Sequence, residues 1–246
     1  MTIPQALMAA TIAACSTVGP AWAQLQNAIP VQDQSAPGSP LAISGTVSFS
    51  EAVDGDTLAY SHGENITARN ISGQPILAVG LSIRLVLPHG EMRKHAIQFD
   101  RFFRPDLIAP GDTLSISWPL GEYRTVAPLR GHPPTIEPHA EVQVLYAQFP
   151  DGGVFGAEEY GETILSLRSR AWETLRRLDR IYTTQGPEEF LEALKRPVEP
   201  HDAVHVIVKD LLSTADQYGA ASAEGKVQRM LMLATRRQEM IGGPAK

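Results

Sequence analysis

Between residues 76 and 87 the chain reads Ile-Leu-Ala-Val-Gly-Leu-Ser-Ile-Arg-Leu-Val-Leu, and this alternation constrains the fold more than any other stretch. Successive side chains of an extended strand point to opposite faces, so Leu77, Val79, Leu81, Ile83, Leu85 and Leu87 share one face while Gly80, Ser82 and Arg84 fall on the other. The pattern predicts an inner strand with one buried and one partly wet face, closed by the turn chemistry of Pro88-His89-Gly90. Residues 65–70 form a shorter strand before it, and the turn cluster 71–75 returns the chain antiparallel. Asn65-Ile66-Thr67 and Asn70-Ile71-Ser72 also match the glycan acceptor triplet, which is common by chance, and their strand character explains them better.

Further strands are predicted at residues 43–49, 57–60, 95–103, 113–118 and 141–149. Asp54-Gly55-Asp56 reads as a tight turn, because the residues after it are strand formers and not the further oxygen ligands that calcium requires. Residues 119–138 hold several prolines and no sustained alternation. They are predicted to be a long excursion, a solvated connection between sheets, with the alternative that Arg124, Arg130 and His132 make it a positive loop suited to an anionic ligand or partner. The corner Ala109-Pro110-Gly111-Asp112 followed by alternating Leu114, Ile116 and Trp118 resembles a corner of the immunoglobulin-like sandwiches of the bacterial envelope. The resemblance spans roughly residues 43–156 and implies an antiparallel immunoglobulin-like β-sandwich, although both bridging cysteines of antibody domains are missing.

Composition changes at Glu158. Ile164, Leu167, Ala171, Leu175, Leu178, Ile181 and Tyr182 recur at helical spacing, and the arginines between them are expected on a solvated, partly ion-paired face. Gly186-Pro187 ends this helix, and two further stripes follow, one from Val204 to Tyr218 and one from Val227 to Ile241. The fold class expected is therefore α+β, a sandwich over residues 43–157 followed by a C-terminal layer of amphipathic helices over residues 158–246.

The first residues read as delivery. Residues 7–18 are small and apolar, and Ala21-Trp22-Ala23 has the shape a signal peptidase cuts, giving a signal peptide over 1–23 and a flexible, Pro- and Gln-containing linker over 24–42. Met1 to Gln5 carry no basic residue, which a start upstream of Met1 would supply. The alternative is lipidation at Cys15, the single cysteine, which would tether the protein to a membrane.

A formal net charge of -6 argues against a general nucleic-acid binder. With 43% hydrophobic and 20% charged residues the chain can bury a sizeable core. His201 and His205 stand four apart on a predicted helix, the spacing of a metal pair, but no Glu lies in the zincin position and no third ligand is evident. No nucleophile elbow, phosphate loop, dinucleotide turn or cofactor motif is present. The function expected is an exported, periplasmic or secreted, non-catalytic binding or assembly module with an envelope protein as partner. The alternative is a ligand carrier or enzyme using a pocket between sandwich and helices.

Overall fold

A computed structural model describes residues 27–54, 57–88, 92–128, 136–197 and 203–241. Its strands are β1 (Asn27–Asp33), β2 (Leu41–Asp54), β3 (Thr57–Asn70), β4 (Ala78–Val86), β5 (Met92–Asp100), β6 (Thr113–Pro128), β7 (His139–Gln148) and β8 (Val154–Gly156). The helices are α1 (Glu158–Gln185), α2 (Pro187–Lys195), α3 (Ala203–Tyr218) and α4 (Ala220–Ile241).

The strands form one mixed sheet in the order β5-β4-β7-β1-β2-β3-β6, with β8 beside β7, curled into a half-barrel. This overturns the antiparallel immunoglobulin-like sandwich. The decisive element is β1, drawn from the stretch expected as a linker: Asn27 to Pro30 pair antiparallel with β2, and Val31 to Asp33 pair parallel with β7. One short strand thereby joins what a sandwich would keep as two sheets. Its sequence announces it only weakly, because Ile29 and Val31 alternate over a single step with Pro30 between them, while its ladder is supplied by neighbours on both sides. Gln34 N–H continues the join by donating to Val142 O at 2.8 Å, and the Ser35 hydroxyl accepts from Val144 N–H at 3.0 Å.

Another departure is β6, which continues through residues 119–128 where a loop was expected. Thr57 to His62 of β3 pair with Pro128 to Tyr123. β6 is an end strand, and a proline on an edge interrupts no interior ladder, so the prolines are tolerated there. Between His62 and Glu64 the register jumps from Tyr123 to Trp118, so Gly63 alone stands opposite residues 119–122. Bulges of this kind bend a strand and re-aim its side chains.

Inside the curl, Val47, Phe49, Tyr60 and Ile66 meet Val79, Leu81, Ile83 and Leu85 in one core. β4 is buried along almost its whole length. Leu77, which precedes it, packs instead with the helices, beside Phe102 and Phe103. Leu211, Val227, Phe190 and Leu175 complete that second core. Gly186 (φ 95°) separates α1 from α2, with Pro187 at the first helical position, and Gly219 (φ 86°) separates α3 from α4 by donating its N–H to Ala215 O at 2.8 Å.

Candidate functional site

The helices meet the sheet at the end of β5. Phe102 and Phe103 turn into the helical core and contact each other edge to face at 5.2 Å. This forces a corner after Asp100, which accepts Phe102 N–H at 3.0 Å. From α1, Arg168 reaches the same carboxylate with two donors, Nε to Oδ2 at 2.8 Å and Nη2 to Oδ1 at 2.9 Å. Its Nη1 donates to Gln148 Oε1 at 2.7 Å, and its guanidinium lies 4.4 Å from the centre of the Phe102 ring. Arg168 is only 5% exposed, which corrects the expectation of a solvated face at this one arginine, because the sheet presents a matching carboxylate at that height of the helix; Arg170, Arg176, Arg177 and Arg180 are exposed as expected. Arg237 of α4 donates to Arg101 O, closing the corner from the other side. Burial lowers the pKa of Arg237 and raises that of Tyr146, the latter shift opposed by the Arg168 charge.

Beside this ion pair lies a cleft of about 350 Å³ between β5, the 101–104 corner, α1, α3 and α4, within the usual range of small-molecule sites. Ile164, Ala171, Phe103 and Met230 line its buried part, while Gln98, Arg104 and Val206 stand at the rim. Arg101 pairs with Asp106 at 3.0 Å, and Asp210 pairs with Lys226 at 2.8 Å.

A second polar cluster lies where the end strands approach each other. The bulge opposite Gly63 sits between His62 and Glu64, and β5 presents His95 to the same place. Glu64 Oε1 lies 3.3 Å from His95 Nε2 and 3.8 Å from His62 Nε2. The His95 ring packs against Trp118 of β6 at 5.3 Å, so side chains span the seam between the two ends of the sheet. Burial, with the nearby charges of Arg93 and His95, lowers the His62 pKa from 6.5 to about 4. Glu64 Oε2 is buried without a hydrogen-bond partner among the described residues.

Neither place contains a residue predicted from the sequence as a binding, metal or lipidation site. Arg124 is in β6 opposite Ser61, within a strand and not the expected loop, and its side chain is outside the described residues. Arg130, His132, His201 and Cys15 also lie outside the described residues. His205 is half-buried on α3. Among the described residues no group of three or more His, Cys, Asp or Glu is arranged to hold a metal ion, and no helix is long and apolar enough to cross a membrane. Asp100 and Arg168 escaped sequence reasoning because their partnership joins residues 68 positions apart. The usable signal was an arginine falling at the i+4 step from Ile164, on the apolar stripe.

No family model and no curated protein sequence matches the chain. Among solved structures, Bacteroides uniformis beta-glucuronidase 2 covalently bound to cyclophellitol-6-carboxylate aziridine aligns at 13% identity, covering 80% of this chain and 32% of that one, with a TM-score of 0.19. A similarity at that level carries no argument about fold or activity.

Proposed function

We propose that the protein is an exported, non-catalytic binding module whose ligand site is the cleft between β5 and the helices. The observation that carries this reading is the cleft itself, apolar in its depth and braced by the Arg168–Asp100 pair. A preformed apolar cavity with a few fixed polar groups is what small-ligand sites are made of. The charged side chains at its base are engaged with one another, which supports a cleft that holds a ligand. Export is supported by the apolar residues 7–18 and by Ala21-Trp22-Ala23.

Native mass spectrometry of the chain recovered from its producing cells tests both parts. A mature start at Gln24 or a lipid on Cys15 is the expected outcome for export, and an intact Met1 start in the cytoplasm overturns it. A small molecule retained by the wild type and lost from Val206→Trp, which obstructs the rim, is the expected outcome for binding. An equal load on both chains would overturn the cleft as the site.

A partner reading is favoured by a different face. Trp172 on α1 lies in the groove facing α4 together with Leu165, Leu231 and Ile241, with the Arg176 guanidinium 5.6 Å from its ring centre. Trp172 is half-buried against the helical core and Arg176 is exposed, and aromatic and arginine side chains of this kind are typical anchors of protein interfaces. Trp172→Ala should abolish co-purification of an envelope protein, and unchanged co-purification would remove this reading.

A further inference from the structure

The charges around the cleft specify its ligand further than shape alone, and the inference rests on the cleft being the ligand site. Three arginines and two aspartates line it: Arg101, Arg104 and Arg168 against Asp100 and Asp210. Arg168 is held by Asp100, Arg101 by Asp106, and Asp210 by Lys226. Arg104 is the remaining cation, exposed at the mouth and without an ion pair among the described residues. The depth below it is apolar, closed by Ile164, Ala171, Phe103 and Met230.

We infer that the cleft takes a small amphiphilic anion, an apolar body with one carboxylate or similar head, seated with its head at Arg104. Size agrees with this. At roughly 30 Å³ per water-sized group, a cleft of about 350 Å³ holds on the order of ten heavy atoms, the scale of a medium-chain acid. Chemistry agrees as well. A second negative charge would face the Asp210 carboxylate or compete with the occupied Asp100–Arg168 pair, and a cation would meet Arg104 with no unpaired carboxylate among the described lining residues to receive it. A neutral apolar molecule would bind by area alone and leave the guanidinium's donors to water.

Decanoate and 1-decanol, titrated calorimetrically into the full chain below the micellar concentration of the acid, separate these cases. Decanoate is expected to bind one to one and about tenfold more tightly than the alcohol, the increment of one charge-assisted contact at a wet rim. Arg104→Gln should bring the acid down to the affinity of the alcohol and leave the alcohol unchanged. Val206→Trp, a change at a side chain that is 55% exposed and so outside the core, should weaken both. Equal binding of acid and alcohol, or an Arg104→Gln variant that keeps the preference for acid, overturns the anionic class while leaving the cleft as a binding site. Binding that Val206→Trp does not weaken, or no binding of either probe, overturns the inference, and the first of these also removes the cleft from the proposed function.

Discussion

Asp100 and Glu64 are both carboxylates drawn toward the interior, yet Asp100 is gripped by a guanidinium at 2.8 and 2.9 Å, whereas Glu64 faces two imidazoles at 3.3 and 3.8 Å. The first pairing holds the helices to the sheet. The second lies at the seam where β5 approaches β3 and β6. A guanidinium stays charged throughout the working pH range, so the junction with the helices is permanent. An imidazole can change charge while a protein is still folded, and His62 is held neutral until pH falls toward about 4, so the seam responds to acid. The same sheet is thus fastened at two places by chemistries of different durability, and the durable one also forms the base of the cleft.

The largest expected effect comes from breaking the permanent pair. Arg168→Ala leaves Asp100 and Gln148 without their charged donor behind Phe102, and should cost about 3 to 5 kcal/mol in urea unfolding at neutral pH. A loss below about 1 kcal/mol would show that the helices are held by apolar packing alone.

The seam should yield to acid. The folded pKa of His62 lies below its unfolded value of 6.5, so the fold favours the neutral ring. The stabilisation is complete above pH 6.5 and is lost as pH falls toward about 4. A drop from 6.5 to about 4 corresponds to roughly 3 kcal/mol at most. Unfolding measured at a series of pH values should show this slope in the wild type and a shallower one in His62→Gln. An identical slope in the two proteins would place the acid response elsewhere.

The smallest effect is expected at the surface. Arg84 and Glu141 pair across β4 and β7 at 3.0 Å, with side chains 44% and 23% exposed. Arg84→Ala should therefore cost only about 0.5 kcal/mol, diminishing in salt. A loss comparable to that of Arg168→Ala would mean that exposure does not separate the two pairs.

Local periodicity determined much of this protein. Leu81, Ile83 and Leu85 are buried where alternation puts them, and Ile164, Ala171, Leu175 and Leu178 are buried at the helical spacing. The breaks at Gly186-Pro187 and Gly219 follow from residues whose backbones stop helices whatever surrounds them. These features depend on a handful of neighbouring residues, so a single chain displays them openly.

Only the tertiary structure decided the rest. The parallel pairing of β1 with β7 brings Val31 beside Ala140, and β6 continues through its prolines because β3 offers it a long partner. Arg168 looks like one more surface arginine of α1 until Asp100 is placed beside it, and His95 looks like an ordinary strand residue until the curl carries it to Glu64 and Trp118. Periodicity states which face of an element is buried and not what buries it. The partners across a sheet edge or a layer are chosen by the energy of the whole assembled core, in which short polar contacts between distant residues count only once packing has brought them together.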